Sequence, residues 1–322
     1  MHALTTTTLG LATVGLLGLG YAAGIERRAF VLRRVEIPVL PAGSRPLRVL
    51  HVSDAHLTPS QTAKQRWLRR LADLEPDFVI NTGDNLAHQE SVPVVLRSYG
   101  ELLDLPGVFV FGSNDYYAPI LKNPFRYFWP KRTEKRFGEK LPWRELRDAF
   151  VERGWVDLTN RHGELVVRGQ RLAFVGVDDP HLKYDDLAAV EGPADRTADL
   201  AIGVAHAPYL RVLDQWNREG YPVIFAGHTH GGQLRVPGYG ALVTNCDLDR
   251  KRARGLSKHQ VGSNQPSWLQ VSAGLGTSPF APIRFCCRPE ATLVTLTAIE
   301  EESVSAESDA QTAVSQAEPP GA

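Results

Sequence analysis

Five short apolar runs in this chain each break off onto aspartate, asparagine or histidine, and few architectures accommodate that pattern. Leu47–Val52 leads into Asp54-Ala55-His56, Phe78–Thr82 into Gly83-Asp84-Asn85, and Val108–Phe111 into Gly112-Ser113-Asn114-Asp115. Later, Ala201–Ala205 leads into His206, and Val223–Ala226 into Gly227-His228-Thr229-His230-Gly231. Runs of this length, largely apolar, suit strands buried on both faces of a sheet, and Leu172–Val177 has the same character. Helix-period stretches lie between them. In Gln61–Leu74, Trp67, Leu68, Leu71 and Leu74 fall on one face, Arg66, Arg69 and Arg70 fall largely on the other, and Pro76 ends the pattern. Near the C-terminus, Ala291–Ile299 alternates as a half-buried strand does. The alternation predicts a layered α/β domain. In an open sheet of that kind ligands bind outside the carboxyl ends of the strands, so the five polar ends can meet in one crevice.

Aspartate, asparagine and histidine together offer hard oxygen and imidazole donors, a set compatible with manganese, iron or zinc. A carboxylate such as Asp84 has two oxygens and can bridge two cations, and glycines around His228-Thr229-His230 let both rings turn the same way. Taken singly, each residue has an ordinary explanation: a strand-end aspartate caps a turn, and a histidine in an apolar strand, such as His51 or His206, is a hydrogen-bonded core group. Their occurrence in order, each after a strand, is what points to a metal centre.

The rest of the chain sets the surroundings. Thirty-six basic residues balance 36 acidic ones, so nothing in the net charge directs the molecule to nucleic acid. Three cysteines, Cys246, Cys286 and Cys287, cannot make a disulfide framework. From Ala3 to Gly24 there is no charged residue, and a helix of that length spans about 33 Å, one hydrocarbon core. Arg27, Arg28, Arg33 and Arg34 follow against a single acid, Glu26. This predicts a single-pass anchor in the cell membrane with its basic flank over 1–34 and a cytoplasmic catalytic domain. The small residues Ala22-Ala23-Gly24 leave a cleaved signal and export as the alternative. Residues 35–299 form the body, and 300–322, acidic and without an aromatic, an expected disordered tail. Within the body, 123–147 holds eight basic residues against three glutamates, interleaved with aromatics such as Trp129 and Trp143. It reads either as a cap that meets lipid head groups or a lipid phosphate, or as a solvated insertion with a few core aromatics. Asp178-Asp179-Pro180-His181 reads as a turn or as support behind the site.

Asp54-x-His56, Gly83-Asp84, the asparagine-bearing Gly112–Asp115 turn, His206 and Gly227-His228-x-His230 together resemble the calcineurin-like metallophosphoesterases, from about residue 47 to 298. The apolar N-terminus with Gly24-Ile25-Glu26, the His51–Leu57 stretch and the late Gly274–Thr277, Arg284 and Pro289-Glu290 resemble the membrane-anchored bacterial branch of that superfamily. The resemblance implies a four-layer α/β/β/α sandwich and two divalent metal ions, one on Asp54, His56, Asp84 and His230 and the other on Asp84, Asn114, His206 and His228. It implies a phosphoester hydrolase of phosphodiesterase or phosphatase type, in which a metal-bridging hydroxide attacks phosphorus in line, with Asp84, Asn114, Asp115 and His228 as catalytic residues. The expected substrate is a phosphoester or phosphoanhydride, lipid-linked in one version. The alternatives are a pyrophosphatase of nucleotide-linked lipids, or a metal-stabilised binding protein with weakened catalysis. An amidohydrolase barrel is excluded, because its His-x-His follows the first strand and here it comes last. One departure stands out: the family's turn is usually Gly-Asn-His-Asp, whereas here it is Gly112-Ser113-Asn114-Asp115. Aligned without a gap, Ser113 takes the ligand slot. Slipped by one, Asn114 takes it and Asp115 occupies the place of the histidine that assists the leaving group, with His88 as another candidate donor. A carbonyl oxygen suits a metal better than a hydroxyl, which favours Asn114.

Overall fold

The apolar runs become strands of two six-stranded sheets packed face to face. A computed structural model describes residues 13, 15–121 and 137–300. The first sheet is built from β1 (Val31–Leu40), β2 (Leu47–Val52), β3 (Phe78–Asn81), β4 (Gly107–Phe109), β5 (Val156–Asp157) and β14 (Glu290–Ala298), in the order β1-β14-β2-β3-β4-β5. The second is built from β6 (Arg161–Val167), β7 (Gln170–Gly176), β8 (Leu200–Val204), β9 (Val223–Ala226), β12 (Gly255–His259) and β13 (Ser267–Val271), in the order β12-β13-β9-β8-β7-β6. A small hairpin, β10 (Arg235–Val236) with β11 (Gly240–Ala241), stands apart. The strands that carry the polar ends are parallel within their sheets: β2 with β3, β3 with β4, and β8 with β9. Their carboxyl ends therefore open at one edge.

Side-chain alternation distributes each strand between two cores. In β2, Leu50 and Val52 face helices α1 (Thr62–Arg69), α2 (Val92–Tyr99) and α4 (Trp143–Glu152), where they join Leu68, Val95 and Phe150. Leu47 and Val49 face the other way, into an inter-sheet core with Phe78, Ile80, Phe174, Ile202 and Phe225. Helix α5 (Leu210–Glu219) closes the far side through Val212, Leu213 and Trp216, against Ala201, Ile224 and Leu269. The result is a mixed α/β sandwich, as expected, with a short helix α3 (Ser113–Tyr116) at the crevice. The bounds of β2 and β9 coincide with the apolar runs. The helix expected over 61–74 is α1 followed by a 3₁₀ turn over Arg70–Leu74, which ends in the left-handed Glu75 just before Pro76.

One expectation at the N-terminus changes. The flank assigned to the membrane anchor is divided, because Arg33 and Arg34 lie inside β1, which pairs in parallel with β14, and the Arg33 guanidinium reaches Glu290 at 2.8 Å. The apolar run itself falls largely outside the described residues. Residues 15–24 are helical, and among the described residues no helix is long and apolar enough to cross a membrane. Residues 122–136 of the basic insertion and 301–322 of the acidic tail also lie outside the described residues, while the insertion's last part enters α4 and contributes Leu146 to the core.

Candidate metal centre

The first polar turn is locked to the second: Asp54 N–H donates to Gly83 O at 2.9 Å and His56 N–H to Asp84 O at 2.9 Å. The last is locked to the fourth, Gly227 N–H donating to His206 O at 2.8 Å. These clasps hold five non-glycine residues in the left-handed region, Asp54 (φ 50°), His56 (41°), Asp84 (56°), His228 (67°) and His230 (49°). Each such residue costs on the order of 1 kcal/mol or more, and strain of this kind collects at functional sites. Two glycines make room. At Gly112 a side chain would strike the Asp84 carboxylate and the His206 ring, and Gly274 (φ +67°) lies against Asp54, whose Cβ is 2.5 Å from where a methyl group would sit.

Donor atoms of Asp54, His56, Asp84 and His230 all lie within 4.8 Å of one another. His56 Nε2 is 3.3 Å from His230 Nε2 and 3.5 Å from Asp84 Oδ2, and His230 Nε2 is 3.6 Å from Asp54 Oδ1. Around the other Asp84 oxygen lie His206, whose Nε2 is 3.6 Å from Oδ1, and His228, whose Nδ1 is 3.3 Å from His206 Nε2. Asn114 spans both oxygens: its backbone N–H donates to Asp84 Oδ1 at 2.7 Å and its side-chain amide to Oδ2 at 2.8 Å. All seven sequence-derived residues thus meet around Asp84. Of the turn's two alternatives, it is Asn114 whose side chain reaches the carboxylate; the Ser113 hydroxyl lies 3.5 Å from the Asn114 amide.

The donor set fits divalent cations. Asp54 Oδ1, which faces the His230 ring, is buried without a hydrogen-bond partner among the described residues, and a buried polar atom left so is costly unless something else satisfies it. Burial keeps the imidazoles neutral, with His56 pushed down to about 4 and His228 and His230 well below the usual histidine range, so each has a lone pair to offer. Burial works against ionisation of Asp84 too, but His206, His56 and the Asn114 hydrogen bonds outweigh it and hold the carboxyl well below its ordinary range. For His206, burial is overcome by Asp84, Asp179 and Asp54, which lift it to about 9.

A surrounding layer orients these groups, and sequence reasoning found little of it. His206 Nδ1 bonds to Thr82 O at 2.7 Å and His230 Nδ1 to Gly276 O at 3.2 Å, so both rings aim Nε2 inward. The Arg284 guanidinium, fully buried, donates to the carbonyls of Ala273, Gly274 and Gly276 and lies 3.4 Å from His230 Nδ1. The 178–181 turn stands behind the site: the ring of His181 packs on that of His228 with centroids 4.6 Å apart, and Asp179 is buried. Asp115 differs from its expected catalytic place. Its two oxygens accept four backbone N–H groups, from Gly112 and Asp84 on one and Asn85 and Leu86 on the other, at 2.7–3.2 Å. Completely buried and so engaged, it braces the second and third turns against each other.

The sequence signature of the calcineurin-like phosphoesterases matches residues 47–232. The chain is similar to the metallophosphoesterase YkuE of Bacillus subtilis, 25% identical over 300 residues that cover 87% of this chain and 90% of the relative. It is also similar to the phosphodiesterase YaeI of Escherichia coli, at 24% identity over 87% and 93% of the two chains. A zebrafish transmembrane protein with a metallophosphoesterase domain matches at 29% identity over 81% of this chain and 56% of its own.

Proposed function

The chain belongs to the calcineurin-like phosphoesterase family, and from that premise we propose that it hydrolyses phosphoesters at a centre for two divalent cations that share Asp84. The observation that carries this reading is the convergence of six side chains from four strand ends on the buried carboxylate of Asp84 at a fifth. On one side of Asp84 stand Asp54, His56 and His230, and on the other Asn114, His206 and His228; imidazole with hard oxygen donors suits manganese, iron or zinc. When bound, such cations neutralise phosphoryl charge and lower the pKa of water toward neutrality. The chain's own residues supply position: Thr82 and Gly276 fix the two imidazoles, the Asp115 clasp sets the spacing of the Asp84 and Asn114 turns, and Asn114 takes the place of ligand.

A second reading, a phosphoanhydride as substrate, is favoured by a cleft of about 360 Å³ beside α3. Lys140, Arg144, Arg147 and Arg161 line it together with Tyr116 and Trp143, and the Arg144 guanidinium lies over the Trp143 ring at 4.5 Å. Tyr116 is two residues along the chain from Asn114, and the cationic groups, which share the cleft with Asp157 and Asp178, suit an anionic leaving portion. The apolar Ala3–Gly24 run followed by Arg27 and Arg28 supports a location at the cell membrane with the catalytic domain on the cytoplasmic side, as does similarity to a protein named as transmembrane.

The test is turnover of an activated aryl phosphodiester. The reading requires that a chelator abolishes it, that manganese restores it, and that Asp84→Ala lacks it while keeping the wild-type circular dichroism spectrum. Full turnover by a well-folded Asp84→Ala protein sinks it.

A further inference from the structure

Large apolar side chains are seldom exposed in groups, yet here they gather on the side of the molecule where the chain enters the fold. Tyr21 and Ile25 are exposed at the end of the N-terminal helix, Val236, Tyr239 and Leu242 on the β10–β11 hairpin, and Phe280 and Phe285 on the loop before β14. These segments are one surface. The ring of Tyr21 meets that of Phe285 edge-on at 6.5 Å, and Arg284 N–H donates to Ala22 O at 3.1 Å. Phe285 in turn bonds to the hairpin's root, its N–H donating to Gln233 O at 3.0 Å and its carbonyl accepting from Arg235 N–H at 2.9 Å. The Gln233 amide reaches Ala281 O at 2.7 Å.

The rim of this surface is cationic. Arg28 and Arg288 are exposed on the first and last of these segments and Arg250 and Lys251 on the 3₁₀ turn that follows the hairpin, where the Arg250 guanidinium covers the Tyr239 ring at 4.7 Å. Aromatic side chains ringed by arginine and lysine form the pattern of a face that lies in a headgroup layer, its rings at the acyl boundary and its cations on anionic phosphates. The occupant follows from continuity as well as charge: the uncharged run that begins at Ala3 leads directly into this face at Tyr21 and Ile25.

We propose that this surface is an interfacial contact with an anionic bilayer, in which Tyr21, Tyr239, Phe280 and Phe285 enter the headgroup layer and set the metal centre beside it. The connection to the centre is short. His230 begins the turn that ends at Gln233, and its Nδ1 rests on Gly276 O, four residues before Phe280. Resting on the hydrolase reading above, this placement names the substrate class as a phosphoester carried in a lipid headgroup, taken from the interface rather than from bulk water.

Cys286 supplies a native reporter, being exposed next to Phe285 while Cys287 is buried and Cys246 half-buried. The full chain is added to preformed phosphatidylglycerol vesicles, and alkylation of Cys286 by a charged maleimide is timed by peptide mass spectrometry. The expected result is flotation with the vesicles and alkylation at least about tenfold slower than without lipid. A Tyr239→Asp/Phe280→Asp variant with the wild-type melting curve, still floating through its N-terminus, should be alkylated at the lipid-free rate. The proposal is overturned if the wild type does not float, if Cys286 on floated protein reacts as fast as in solution, or if the variant stays protected. Protection that appears without lipid as concentration rises would assign the face to a second copy and overturn it equally. Hydrolysis of a soluble aryl diester by the same samples tests the hydrolase reading separately, so vesicle protection without turnover would discard the reaction and keep the surface.

Discussion

Acidification should destabilise this fold through His51, a residue outside the metal centre. His51 lies in β2, fully buried, with Nε2 3.0 Å from Thr82 Oγ1, its ring edge-on to Phe225 at 5.3 Å, and Nδ1 without a hydrogen-bond partner among the described residues. Burial pushes it from 6.5 down to about 3. Between those values the unfolded chain binds a proton that the folded chain refuses. The stability that depends on neutral His51 is therefore complete above 6.5 and is lost as pH falls toward 3. About two units below the unfolded value, at about pH 4.5, the loss is on the order of 3 kcal/mol. Other buried imidazoles titrate in the same window, so the measurement is a difference. Urea unfolding of wild type and His51→Leu, both with chelator, is compared at about pH 7.5 and about pH 4.5. Leucine removes the Thr82 partner at every pH, but only histidine must take up a proton, so the wild type should lose on the order of 3 kcal/mol relative to the variant across that range. A gap between the two proteins that is the same at both pH values would refute the reasoning.

Three further outcomes follow from the site. Asp115→Ala strips the acceptor from four buried N–H groups, and with about 1–3 kcal/mol for each one left unsatisfied, even partial relaxation should cost at least ~3 kcal/mol in denaturant unfolding; a loss under ~1 kcal/mol would mean that Asp115 is no brace. Gly274→Ala forces a methyl group onto Asp54 at a left-handed position, so its activity should fall at least about tenfold with manganese affinity, and wild-type affinity would show that the turn yields freely. The Gly112–Asp115 turn lacks an imidazole to protonate a departing alkoxide, help that is typically worth roughly 10²–10⁴-fold, so rates on phosphodiesters of graded leaving-group pKa should fall steeply; the slope should flatten in a Ser113→Asn/Asn114→His variant, and equal shallow slopes in both proteins would place the donor elsewhere.

Those strands whose ends carry the chemistry were the most legible part of the chain. They are apolar on both faces because each is sandwiched between helices and the opposite sheet, and that produces continuous runs such as Leu47–Val52 and Val223–Ala226. β1 escaped for the opposite reason. As an edge strand it exposes Arg33 along with Arg34, Glu36 and Pro38, and its two arginines read as part of a basic flank. In the centre, side chains that bind through their own chemistry were visible from type and order. Groups that act through the main chain were not: Thr82 and Gly276 use carbonyl oxygens, which every residue has. Arg284 stood out in sequence only by resemblance, although its burial against Ala273, Gly274 and Gly276 is what holds the loop under His230. The backbone clasp of Asp115 was not legible, because an aspartate beside a ligand can serve a proton or a backbone turn and its type is the same in both.

The shared position of Asp84 is tested most directly by counting bound metal in purified proteins after equilibration with manganese and removal of excess ion. Wild type should hold about two ions per chain, His56→Ala and His206→Ala about one each, and Asp84→Ala close to none, since its two oxygens face the two groups of ligands. An Asp84→Ala protein that is folded and still carries about two ions would contradict a centre built around that carboxylate.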